Sequence, residues 1–175
     1  MIKKYHSRKF SAGVTLIELM VAMVISLILI AGSIASYSSI SLTLKTSKTL
    51  ENAQEVLRYS SQVFYRSLKQ TSAIPLLDGT DSIIVSQDGG VVACNGQTPI
   101  VAYTETYTYA SPNLLCDIGN GTEVILTGIT NIAYEISGNS VSVTVTPEGL
   151  PEKYANGVQI DVALIRVIFE QATAE

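Results

Sequence analysis

The sequence predicts an α+β fold in which a long N-terminal helix packs on a C-terminal antiparallel β-sheet. Three observations point there. Residues 14–31, VTLIELMVAMVISLILIA, form an 18-residue stretch that is apolar except for Thr15, Glu18 and Ser26. Leu50, Leu57 and Phe64 then recur every seven residues, the mark of a helical stripe. Further on, Val141, Val143 and Val145 alternate with Ser142 and Thr144, the period of a half-buried strand.

The first element is the apolar span. Eighteen residues at about 1.5 Å each reach roughly 27 Å, enough to cross a bilayer core of about 30 Å with slight thinning. The basic leader MIKKYHSRKFSAG precedes it and carries Lys3, Lys4, Arg8 and Lys9; the next basic residue is Lys45. Positive charge stays on the cytoplasmic side, so everything after the span faces outward. A carboxylate at the centre of such a helix costs about 2.5–3.5 kcal/mol. Glu18 lies near the start, where the cost is smaller, and a polar residue kept inside a membrane helix is a functional candidate.

Gly13 followed by Val14-Thr15-Leu16-Ile17-Glu18-Leu19 resembles the class III signal of type IV prepilins and pseudopilins, and the continuation ELMVAMVIS is most similar to minor pilins of the PilW type. The resemblance implies a type IV pilin fold. It implies cleavage after Gly13 by a prepilin peptidase and methylation of the new N-terminus at Val14. Val14 stands where the family usually has Phe, which bears on methylation more than on cleavage, because the cut depends mainly on the glycine. Residues 1–13 are then a cleaved leader, 14–44 the transmembrane and filament-core half of the helix, and 45–175 an exported globular domain. Glu18 is expected to meet the α-amino group of Val14 on a neighbouring subunit.

The resemblance also implies location and partners. The protein is expected in the inner membrane as a single-pass chain, N-terminus cytoplasmic and C-terminal domain periplasmic, and later in the pilus or at its tip. Implied partners are other minor and major pilins, the prepilin peptidase/methyltransferase, the inner-membrane assembly platform and membrane lipid. The expected function is that of a minor pilin, a non-enzymatic subunit that helps to initiate or cap type IV pilus assembly. The rivals are a J-type pseudopilin of type II secretion and a pilus-tip adhesin. Two blander readings of the N-terminus are a secretory signal peptide cut near Ser33-Ile34-Ala35 and a plain membrane anchor. The apolar stretch exceeds the roughly 7–15 residues of a signal-peptide core, and Gly13 with Glu18 separates a prepilin from a plain anchor.

Past the span, SIASYSSISLT at 33–43 is Ser-rich and weakly helical, and it reads as a flexible or locally melted stretch. The heptad stripe of Leu50, Leu57 and Phe64 follows, with Ala53, Ser60 or Ser61, and Leu68 in the intervening turns and the charged residues mostly outside it. Pro75 and Asp78-Gly79 place the helix end near residue 72. Ser82–Ser86 is a short strand closed by Asp88-Gly89-Gly90. Ile132–Ile136 and Val141–Val145 form a hairpin through Gly138-Asn139. Val158–Phe169 reads as the last strand, its second half apolar on both faces and therefore central in the sheet. The segment PEGLPEKYANG before it is a loop.

Cys94 and Cys116 are the only cysteines, and both fall in the exported part. An oxidising compartment and an even count favour a disulfide over two reduced thiols. Cys116 is followed by 59 residues, so the bridge is mid-domain rather than near the C-terminus, where major pilins usually carry it. Between the cysteines, Tyr103, Tyr107 and Tyr109 share one face of a predicted strand. They form either a contact surface for a partner or outside ligand, or an ordinary sheet face packed by aromatics; the second reading is preferred.

Composition excludes other classes. Without the four basic residues of the leader, seven of the eleven Lys and Arg remain against fifteen Asp and Glu, a net charge near −8. Such a domain is a poor binder of nucleic acid, and no nucleic-acid partner is expected. The one histidine, His6, lies in the leader, which argues against His-dependent triads and His-based metal sites. Gly119-Asn120-Gly121 is not a dinucleotide loop, since Val124 stands where the third glycine belongs. Asp78, Asp81 and Asp88 lack the spacing of a calcium loop and read as solvated turn carboxylates. No cofactor, metal or catalytic residue is expected.

Overall fold

The computed structural model describes residues 15–173. The leader, Gly13 and Val14 lie outside the described residues. The chain divides into two compact units, Met1–Lys45 and Thr46–Glu175.

Helix α1 covers Leu16–Gln70 and is unbroken through 33–43, where the Ser-rich composition had suggested melting. The hydroxyls are accommodated within the helix. Ser33, Ser36 and Thr43 each donate to the carbonyl four residues earlier, at 2.8, 3.0 and 3.0 Å. The side chains that compete for backbone groups at caps and turns here bond along the helix instead.

In the second unit the helix end near 72 is met at Gln70. The buried face is Ala53, Val56, Ser60, Val63, Phe64, Ser67 and Leu68. It is rotated from the heptad stripe: Leu50 is 39% exposed and Leu57 only half-buried. A straight helix drifts about 20° per heptad from a seven-residue repeat, so the far end of that stripe slides off the core.

Two antiparallel sheets follow. The first has the order β1-β2-β3-β4-β5, from Leu76–Leu77, Ser82–Gln87, Tyr103–Ala110, Asn113–Asp117 and Thr122–Thr127. The second has the order β6-β7-β8, from Ile129–Ser137, Ser140–Pro147 and Val158–Ala163. The hairpin of β6 and β7 pairs Ser137 with Ser140, leaving Gly138-Asn139 as a two-residue turn. Gly138 has φ +57° and no non-glycine residue among the described ones has positive φ, the pattern of a II′ turn with glycine first.

The last element differs from expectation. Only Val158–Ala163 is a strand, and it lies at the sheet edge beside the central β7. Ile165–Thr173 is helix α2. The buried residues there, Leu164 and Val167, are three apart. The apolar run carried a helical period that a short window does not distinguish from a two-sided strand.

One core joins the second half of α1 to both sheets. Phe64 and Leu68 of α1, Ile83 and Tyr107 of the first sheet, and Val141 and Val143 of the second are all buried in it.

Candidate functional site

Thr15 opens α1. The Glu18 backbone N–H donates to Thr15 Oγ1 at 3.3 Å and the Leu19 N–H to the Thr15 carbonyl at 3.2 Å. Thr15 is the N-cap and Glu18 the third helical residue, the T-x-x-E spacing of a capping box. The Glu18 carboxylate occupies the first turn, where the helix dipole favours negative charge.

Among the described residues, Leu16 to Ile40 of that helix are all exposed. Its most apolar 18-residue window is 0% buried, and it is long and apolar enough to cross a membrane. Leu16, Ile17 and Met20 are 79%, 71% and 60% exposed. Soluble monomers rarely expose contiguous apolar patches beyond a few hundred Å², so this surface calls for lipid or other helices. Ser26 suits that environment: its Oγ donates to the Ala22 carbonyl at 2.8 Å, so its proton is met within the helix.

The tyrosine row lies on β3 of the second unit. On β3, Tyr107 is fully buried, its ring 5.2 Å from that of Phe64. Tyr103 and Tyr109 are half-buried, and their hydroxyls are bonded to backbone carbonyls. Tyr103 donates to the Val91 carbonyl at 3.1 Å and Tyr109 to the Thr130 carbonyl at 2.6 Å. The face is the aromatic-packed side of a sheet because α1 lies over it.

Glu105 shares that face, and the sequence reading passed over it. It is 1% exposed, and both oxygens are met by donors. Oε1 accepts from the Cys94 backbone N–H at 2.8 Å. Oε2 accepts from the hydroxyls of Ser67 and of Tyr107, the latter at 2.9 Å, and from Gln87 Nε2 at 3.3 Å. A buried carboxylate is tolerated only when so satisfied. Burial, and after it the Glu105 charge, push the Tyr107 phenol well above its usual value, so Tyr107 stays protonated as a donor. The signal was available: Glu105 has the parity of the three tyrosines along the strand.

Cys94 and Cys116 are bonded to each other. Cys116 stands opposite Tyr107 across β3 and β4. Two turn carboxylates, Asp117 and Asp88, have partners of their own. Asp117 accepts from the N–H of Gly119 at 2.6 Å and of Gly121 at 3.3 Å, which makes Gly119-Asn120-Gly121 a capped turn. Asp88 pairs with Arg166 and accepts from Ser72 Oγ at 3.2 Å. Among the described residues no three His, Cys, Asp or Glu converge to hold a metal ion.

A protein-family profile described as the prokaryotic N-terminal methylation motif matches residues 8–34. No curated protein and no solved structure matches the chain. The N-terminus thus carries a methylation motif of the type IV pilin-like kind. The long apolar helix packed on antiparallel sheets fits the type IV pilin fold.

Proposed function

We propose that this chain is a minor pilin, a non-enzymatic structural subunit that helps to initiate or cap a type IV pilus. The observation that carries the reading is the exposed apolar helix with a carboxylate in its first turn, its start lying inside the methylation motif. Cleavage after Gly13 leaves Val14 as a charged, methylated N-terminus four residues before Glu18. The leader holds the cytoplasmic side, and the domain from residue 45 lies in the periplasm. In the membrane, Glu18 of one subunit receives the Val14 amine of the next. Each charge offsets the other's desolvation and selects one axial step. The mid-domain Cys94–Cys116 bridge supports a minor over a major subunit and suits a J-type pseudopilin equally.

Deletion of the gene tests the assignment. A minor pilin is expected to leave few filaments, with the protein scarce in sheared filaments of the parent strain. Loss of exoprotein secretion with normal pili indicates a pseudopilin, and a dominant band in purified filaments refutes the minor role. Glu18→Ala is expected to block incorporation while cleavage after Gly13 continues, since the cut site is intact.

A further inference from the structure

The connection between β2 and β3, residues 88–102, contains no helix or strand. It is nevertheless anchored. Gly90 N–H donates to the Pro99 carbonyl at 2.7 Å and Ala93 N–H to the Gln97 carbonyl at 2.7 Å. Arg66 of α1 reaches the Ala93 carbonyl at 3.3 Å. Gly89 has room for no side chain, since a Cβ there falls 2.0 Å from the Ile100 carbonyl oxygen. Ala93 and Cys94 are buried.

The innermost anchor is Glu105. Its Oε1 takes the Cys94 N–H, while its Oε2 is held by Ser67 from α1, Gln87 from β2 and Tyr107 from its own strand. We propose that Glu105 is the positioning residue for the disulfide: it docks Cys94 beside Cys116 before the bond forms and so sets how strongly the bridge resists reduction. The acceptor exists only once α1, β2 and β3 have come together. Covalent closure therefore follows folding of this region rather than directing it. In the oxidation step the thiols of Cys94 and Cys116 lose two protons and two electrons to a disulfide oxidant, which is released as a dithiol. The effective concentration of one thiol at the other depends on the docked fraction of the reduced chain, and Glu105 raises that fraction.

The experiment is a thiol–disulfide equilibrium of the full chain in detergent micelles against reduced and oxidised dithiothreitol. It is run at a temperature where every reduced variant is folded. Glu105→Gln removes one charge-assisted acceptor, so the equilibrium is expected to move about tenfold towards the reduced form, a change of about 30 mV in potential. Val143→Ala is the control. Val143 is fully buried in the second sheet, so the variant loses global stability but is expected to stay within about twofold of the native equilibrium. Should Glu105→Gln fail to fold, Ser67→Ala removes one of the donors that order the same carboxylate, with an expected shift of about threefold. A native-like equilibrium in the Glu105 or Ser67 variant overturns the proposal. So does an equal shift in Val143→Ala.

Discussion

Phe64→Ala is expected to destabilise the domain by about 3–5 kcal/mol, towards the upper end. The ring is 0% exposed and stands between two others: Tyr107 of the first sheet at 5.2 Å and 54°, and Tyr134 of the second at 5.9 Å and 73°. Each aromatic pair contributes about 0.5–1.5 kcal/mol beyond buried area. The void left by truncation is walled by a helix and two separate sheets, and relaxing one wall does not close it on the others. For a domain of this size 1 kcal/mol moves Tm by roughly 4 °C, so the loss is about 12–20 °C. The assay is the near-UV dichroism of the tyrosines in the full chain in micelles, because the far-UV signal also reports the apolar helix. Leu50→Ala is the companion: Leu50 belongs to the same heptad row in the sequence but is 39% exposed, and its cost is expected below about 1 kcal/mol. Equal melting losses for the two variants would show that the buried face is the heptad stripe and would refute the packing argument.

The mature chain is expected to begin at Val14, as N-terminal mass analysis of membrane-extracted protein will show; a start at Met1 or Ser36 contradicts prepilin processing. Thiol labelling of unreduced, denatured protein is expected to find neither Cys94 nor Cys116 free, and labelling of both removes the bridge. At high pH the domain is expected to lose stability. Burial and then the Glu105 charge push Tyr103 from 10.0 up to about 12, and the same two causes raise Tyr107 well above its usual value. These phenols are neutral when protonated, so the folded chain keeps protons that the unfolded chain has released. Their contribution is complete below pH 10 and is lost as pH rises through about 12. Thermal melts across this window are expected to fall more steeply for the native chain than for Tyr107→Phe, and parallel profiles rule the effect out.

Much of this protein is set by local order along the chain. The apolar span, its T-x-x-E start, the basic flank and the Gly13-to-Glu18 spacing are properties of contiguous residues, legible because a membrane helix satisfies its own backbone. The Gly138-Asn139 hairpin is equally local, since a two-residue turn and alternating valines determine each other. Where the sequence and the fold part, the deciding quantity is what lies opposite. The tyrosine row has the same period whether it faces solvent or a helix; α1 laid across β3 makes Tyr107 core. The run from Leu164 to Phe169 is apolar apart from Arg166 and fits either period, and it becomes α2 where Leu164 and Val167 meet the core. Glu105 shows the same thing most sharply. An acidic residue in a strand reads as exposed, and only four donors brought from α1, β2, β3 and the 88–102 connection make its burial tolerable. Those donors are up to 38 residues away in sequence, and no local pattern brings them together.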